Sequence, residues 1–162
     1  MKRWLLAGFV LVCAGLQLGF WPFVRPFGVV PQMLLVVMVL TGLNLRIMTS
    51  LVLALASGLM VDVSSSTSFG LWTGMLVLTV LVGALVRQAG IETDQLLVPV
   101  AIIAAGTLML DVAVWLGMAT LVSRWPVGEL AGTFLLELML NLIIMTLVRP
   151  FVRWSADGPM GE

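Results

Sequence analysis

The sequence predicts an all-α membrane protein, a single bundle of six transmembrane helices with both termini in the cytoplasm. Of its 162 residues, 61% are hydrophobic and 10% are charged, whereas soluble domains have about 45–50% apolar and about 25% charged residues. The apolar residues form six runs of the length at which a helix crosses a hydrocarbon core. No polar segment is long enough for an extramembrane domain, so the prediction is one membrane domain over residues 1–162.

The first three predicted spans are separated by prolines, aromatic residues and charge. The first, at about residues 4–20, is closed by the segment from Trp21 to Pro26. The second, at about 27–45, contains Pro31 near its start. Arg46 separates it from the third span, at about 47–63. Helices are expected throughout, because strands of a membrane barrel would alternate apolar and polar residues and these runs do not.

The last three predicted spans follow a serine-rich loop. The fourth covers about 69–86, the fifth about 96–122 and the sixth about 130–148. Pro99 lies in the first turn of the fifth span, where its missing N–H is tolerated. The fifth span is longer than a bilayer requires, so it is expected to tilt or protrude.

The distribution of basic residues predicts the orientation. An even number of spans places both termini on one side, and short loops on the cytoplasmic side carry an excess of Lys and Arg. A cytoplasmic location for both termini puts six basic side chains inside and only Arg25 and Arg124 outside. The six are Lys2, Arg3, Arg46, Arg87, Arg149 and Arg153.

Small residues at four-residue spacing mark candidate helix contacts. In lipid, such residues let two backbones approach closely, and this approach is what drives helix association. The first span carries Gly15 and Gly19, and the fourth begins with Gly70 and Gly74. The same spacing recurs in Ala54 with Gly58 and in Ala113 with Gly117.

Acidic side chains inside two spans are the most costly residues of the chain. Asp111 lies near the middle of the fifth span, and Glu137 and Asn141 lie one turn apart on the sixth. No Lys or Arg occurs at comparable depth. Three interpretations stay open: internal hydrogen bonds, with Thr107, Asn141 or a neighbour as partner; a water-filled cavity; or contact with another protein's helix. Thr107, Asp111 and Trp115 form one stripe that suits any of the three.

Asp62 ends the third span just before the serine loop. A carboxylate at a helix C-terminus opposes the helix dipole, so helix propensity does not explain it. The short loop instead predicts that Asp62 folds back against the start of the fourth span, where free N–H groups favour an anion. We interpret this residue first as a structural lock and second as a binding determinant.

The composition disfavours catalysis, metal binding and nucleic-acid binding. His and Tyr are absent, Cys13 is the single cysteine, and the formal net charge is zero. Common nucleophiles and general bases are therefore missing, and no phosphate loop, zinc motif or hydrolase motif occurs. We expect no enzyme, no cofactor and no metal site.

Several motifs together resemble the MreD family of rod-shape-determining membrane proteins. They are Arg25-Pro26 before the second span, the stretch from Gly58 through Asp62 and the serine loop to Gly70, Leu108 to Trp115, and Asn141 followed by Arg149 and Arg153. The stretch from Gly58 to Gly70 is the most specific, because family members have an Asp, a short Ser/Gly/Thr loop and a Gly there. The chain departs from a typical member where Ser66 or a neighbour replaces the loop glycine.

The resemblance implies a fold, a location and partners. The fold is that of the substrate-binding S components of energy-coupling-factor transporters, in the bacterial cytoplasmic membrane. The implied function is a non-enzymatic scaffold or regulator of cell-wall elongation, which binds MreC and works with RodA, a class B penicillin-binding protein and, indirectly, MreB. A second hypothesis is an S component itself, with Asp111, Glu137 and Asn141 lining a ligand pocket. Against it, S components have an Ala-x-x-x-Ala pattern on the first helix, where this chain has Gly15 and Gly19.

Overall fold

The structure, a computed structural model, describes residues 2–24, 28–65, 69–92, 95–119 and 127–156. Side chains are described in these ranges except at 2–3, 115–119, 127–131 and 156. Every regular element in the described ranges is helical, without a strand. The helices are α1 (Lys2–Gly15), which continues through a π-helical turn (Leu16–Phe20) into α2 (Trp21–Val24), α3 (Met33–Asn44), α4 (Ile47–Ser64), α5 (Leu71–Gln88), α6 (Leu97–Ala119) and α7 (Val127–Ala156).

Five helical stretches are long and apolar enough to cross a membrane, and the prediction of an all-helical membrane protein is confirmed at this level. The stretches are Trp4–Val24, Ile47–Ser64, Leu71–Gln88, Leu97–Val114 and Gly132–Ser155. Predicted spans three and four agree with α4 and α5 within about two residues at each end. Span five agrees with α6 up to Ala119, since residues 120–122 lie outside the described ranges. Helix α7 runs eight residues beyond the predicted end at 148.

The first helix runs four residues beyond the predicted end of the first span at about residue 20. It continues to Val24 through the π-helical turn, in which the Trp21 N–H bonds to the Leu16 carbonyl. In a regular α-helix, the ring of Pro22 would clash with the carbonyl four residues earlier. The wider turn immediately before Pro22 relieves this conflict, and the described helix then ends at Val24, within the segment predicted to close the span.

The second predicted span is not a continuous helix. Helix α3 has 12 residues, about 18 Å of length, against about 30 Å of hydrocarbon. Residues 29–32 before it are not helical, because Pro31 lacks an N–H and biases Val30 towards extended backbone. Irregular backbone at membrane depth is tolerated where protein surrounds it, and Val29 and Gln32 are both buried. The prediction of a helix over 27–45 is therefore wrong in its first part.

The short helix α3 is the centre of the bundle. Every residue from Leu34 to Leu43 is buried, and α3 packs against α1, α4, α5, α6 and α7. A helix that is apolar on all sides requires neighbours on all sides. The other helices form a shell around α3 and expose large apolar side chains on their outer faces, such as Met48, Leu85 and Leu147.

Two glycine contacts bring the backbones of neighbouring helices together. A Cβ atom at Gly58 on α4 would lie 2.6 Å from the Thr73 Cα atom on α5. A Cβ atom at Gly42 on α3 would lie 2.9 Å from the Val80 carbonyl oxygen on α5. In the same interface, a Cβ atom at Gly83 on α5 would lie 3.1 Å from the Gly42 carbonyl carbon. The small-residue pair Ala54 and Gly58 thus lies at a helix contact.

Gly58→Ala is expected to lower the free energy of unfolding by about 1–3 kcal/mol, because the added methyl group overlaps backbone that has no rotamer to change. Thermal unfolding of the purified protein in detergent measures the loss. Gly74→Ala on α5 is the matched control, since no atom lies within 4 Å of its Cβ position. Equal stability of the two variants would contradict a close contact between α4 and α5.

Candidate functional site

A network of buried and half-buried polar side chains lies around the start of α3. The Gln32 Nε2 atom donates to Asp111 Oδ1 at 3.3 Å and to Glu137 Oε2 at 3.1 Å. The Gln32 backbone N–H donates to Asn141 Oδ1 at 2.8 Å, and Asn141 Nδ2 donates to Thr107 Oγ1 at 3.0 Å. We call these five residues the central polar cluster.

Three parts of the fold position the cluster. Thr107 and Asp111 lie one turn apart on α6, and Glu137 and Asn141 lie one turn apart on α7, so each pair shares a helix face. Gln32 precedes the first residue of α3. Because α6 and α7 pack against each other and against α3, both faces meet at the start of α3.

The start of α3 has free backbone N–H groups that require acceptors inside the bundle. The Gln32 N–H is satisfied by Asn141, and the Leu34 N–H by Gln17 Oε1 at 2.9 Å. Gln17 is buried in the π-helical turn of the first helix. Two side chains from distant helices therefore do what a local N-cap residue does in a soluble helix.

The electrostatics of the cluster are unusual for a membrane interior. Gln32, the hydrogen-bond donor to both carboxyl groups, is neutral, and both groups accept from its single Nε2 atom. The N-terminal end of α3 contributes roughly half a positive charge through the helix dipole. This end of the helix thus partly stabilises the negative charge of the two carboxyl groups.

The described geometry matches one of the three interpretations of the acidic residues, that of internal hydrogen bonds, but with a different partner. Asp111 and Glu137 meet Gln32, whereas Thr107 and Asn141 bond to each other. The sequence interpretation missed Gln32 and Gln17, although an amide within an apolar run carries the same signal as Asn141. The structure describes the backbone of Trp115 in α6 but not its side chain.

Asp62 forms a second polar site, between α4 and α5. Its Oδ1 atom accepts from the Trp72 N–H at 3.0 Å. Its Oδ2 atom accepts from the Thr73 N–H at 3.0 Å and from Thr73 Oγ1 at 2.6 Å. The structure thus contains the predicted contact with the start of the fourth span. The carboxylate caps α5 from the end of α4 and ties the two ends of the serine loop together.

The glycines of the predicted contact faces fall into two groups. Gly70 has φ of 92° and precedes α5, so it forms a left-handed turn and no helical pair with Gly74. Gly15, Gly19 and Gly74 are exposed, with no atom within 4 Å of their Cβ positions. These three therefore do not pack against another described part of the chain.

The fold and these two sites define the class of protein: a helical, multi-pass membrane protein with a buried polar centre. Among the described residues, no group of three or more His, Cys, Asp or Glu side chains forms a candidate metal site. Compared with models of protein families, with curated proteins and with solved structures, the chain has no match. The resemblance to the MreD family stays a prediction based on motifs.

Proposed function

We propose that this chain is a non-enzymatic scaffold of the MreD type, which binds the single transmembrane helix of an MreC-like partner in the bacterial cytoplasmic membrane. Through that partner it helps to control peptidoglycan synthesis and cell shape, together with RodA and a class B penicillin-binding protein. The observation that carries this proposal is a row of small, exposed residues on the first helix.

This row, the outer glycine face, consists of Gly8, Val12, Gly15 and Gly19. The spacing of four, three and four residues places them on one side of the helix. All four are exposed, and no atom lies within 4 Å of the Cβ position of any of the three glycines. In lipid, an exposed glycine face lets a second helix approach the backbone closely, which makes it a favourable place for a partner helix to dock.

The interior of the bundle supports a scaffold with a fixed shape. Helix α3 is enclosed by five other helices, and hydrogen bonds that connect distant helices satisfy its start. A helix bundle held together in this way keeps the residues of its outer surface in one fixed arrangement. In the proposed orientation both termini lie in the cytoplasm, which is supported by the six basic residues on that side and the two on the other.

Gly15→Leu and Gly19→Leu are expected to abolish copurification with the MreC-like partner in mild detergent, because leucine fills the space where the partner's backbone would lie. The amount of partner recovered per molecule of this chain is the measurement. Gly132→Leu on α7 is the matched control, since Gly132 also has no atom within 4 Å of its Cβ position. The same leucine substitution there is expected to leave copurification intact.

Full copurification of both first-helix variants and of Gly74→Leu would argue strongly against the proposal. Loss of the partner with Gly132→Leu as well would point to a general effect of bulky residues. The thermal unfolding of each variant separates loss of folding from loss of binding.

The alternative function, an S component of a small-molecule transporter, is favoured by the central polar cluster. Buried amide and carboxyl groups inside an apolar bundle are what orients a polar ligand in such a site. A vitamin retained stoichiometrically through purification would favour this alternative. Neighbouring genes for MreB and MreC, as opposed to transporter ATPases, would favour the scaffold.

A further inference from the structure

Two oxygen atoms of the central polar cluster have no hydrogen-bond donor among the described residues. They are Gln32 Oε1 and Asp111 Oδ2, and both atoms are buried. Gln32 as a whole is 4% exposed. The Oε1 atom belongs to the same planar amide group as Nε2 and lies about 2.3 Å from it, so it is beside the two carboxyl groups that Nε2 contacts. An unpaired buried acceptor costs free energy, so such atoms normally indicate a missing partner.

The missing partner has to supply positive charge. Asp111 Oδ1 and Glu137 Oε2 accept from the same Gln32 Nε2 atom at 3.3 and 3.1 Å, so these two oxygen atoms lie at most 6.4 Å apart. If both were ionised, the dipole of α3 would offset roughly half of one charge. Two like charges this close do not stay ionised together without a counter-charge.

The described parts of the surrounding helices do not supply this charge. The first helix contributes Gln17, α3 contributes Gln32, and α6 and α7 contribute Thr107 and Asn141 beside the two acids. All four are neutral. On α7 the next basic residue, Arg149, follows Glu137 by 12 positions, about 18 Å along the helix.

We propose that Gln32, Asp111 and Glu137 bind one small cation without its hydration shell, a sodium ion or a proton, beside the start of α3. The burial of both free oxygen atoms favours an ion without a water shell. The chemistry follows from the donor set, since amide and carboxylate oxygens are hard ligands. This inference does not depend on the proposed partner of the outer glycine face.

Binding is expected to raise the melting temperature of the purified full-length protein in detergent. At pH 8 and constant ionic strength, replacing N-methylglucamine chloride with sodium chloride supplies one candidate. Without sodium, lowering the pH from 8 to 5.5 supplies the other. A ligand at one hundred times its dissociation constant stabilises by about 2.7 kcal/mol, which predicts a rise of about 5–10 °C for a protein of this size.

A rise with sodium alone identifies the ion, a rise with acid alone identifies the proton, and a rise with both identifies competition for one site. No rise in either arm overturns the proposal and leaves a bound water as the donor. The same result with potassium as with sodium would indicate a site that accepts either ion.

Asp111→Asn and Glu137→Gln are expected to remove this dependence, because each keeps the side-chain volume and deletes one carboxylate. Glu92→Gln is the control, since Glu92 is exposed and bonds to the Gln95 side chain. A folded Asp111→Asn protein with the full temperature shift would overturn the proposal.

Carbodiimide labelling of the wild-type protein tests the site even if both variants fail to fold. Mass spectrometry measures the modification rate of Asp111 and Glu137. If the ligand is sodium, the modification rate is expected to fall about tenfold at ten times the dissociation constant of sodium. If the ligand is a proton, the modification rate is expected to rise with the acid concentration. A rate that depends on neither would count against any cation at this site.

Discussion

Asp62→Ala is expected to lower the free energy of unfolding by about 3 kcal/mol, because it leaves the Trp72 and Thr73 N–H groups without an acceptor. Asp62 is 3% exposed and accepts three hydrogen bonds at the start of α5. Hydrogen bonds to an ionised acceptor are stronger than neutral ones, and the anion also stabilises the α5 dipole. The loss is measured by thermal or denaturant unfolding in detergent micelles.

Two further variants separate the causes of this loss. Asp62→Asn keeps the volume and one oxygen but removes the charge, so an intermediate stability is expected. Glu92→Ala removes an exposed carboxylate and is expected to change stability by less than about 0.5 kcal/mol. If Asp62→Ala were as stable as Glu92→Ala, the carboxylate would not hold α4 and α5 together.

Asn141→Leu is expected to cost about 2–4 kcal/mol of unfolding free energy, because the buried Gln32 N–H loses its acceptor and Thr107 loses its donor. Asn141 is 0% exposed and is the direct link between α7, α6 and the start of α3. Leucine has nearly the same shape as asparagine, so the loss reports hydrogen bonding and not a cavity. Equilibrium unfolding in detergent measures it.

Asn44→Leu is the matched control for this variant. The Asn44 Nδ2 atom donates to the Leu40 carbonyl in its own helix, and the side chain is half-buried at the end of α3. Its loss leaves no distant group unpaired, so a change of less than about 1 kcal/mol is expected. A similar loss in both variants would mean that Asn141 does not specifically stabilise the start of α3.

These two variants test different contacts within the helix bundle. Asp62 connects α4 to α5 across a short loop, whereas Asn141 connects α7 to α3 across 109 residues of sequence. In water, each N–H group has a solvent molecule as an alternative partner. In lipid it has none, so an interior hydrogen bond between distant segments becomes a condition for the chain to adopt this fold.

The sequence predicted spans three and four closely, because Arg46, the serine loop and the 89–95 segment interrupt the apolar runs, whereas α7 runs eight residues beyond the predicted end of span six. It also predicted the Asp62 contact, since a short loop keeps that carboxylate close to the start of the fourth span. Span two was different. Its composition is as apolar as that of a full helix, and Pro31 alone does not reveal whether a membrane helix bends, breaks or starts late.

The start of α3 depends on residues that lie far away in the chain. Met33 begins the helix because Asn141 and Gln17 accept hydrogen bonds from the backbone beside it. The same holds for the glycines: Gly58 and Gly15 occur in similar motifs, but one meets the Thr73 backbone and the other faces outward. Spacing along one helix does not indicate which neighbour, if any, that helix will meet.

By itself, the sequence determined that lipid surrounds this protein and where its third and fourth helices lie, because both follow from local apolar content and the thickness of a bilayer. Only the tertiary structure decided where the second helix begins, which amide meets the two carboxyl groups and which glycine face stays open. These features depend on contacts between residues far apart in the chain, and each of them exists only once the other helices are in place.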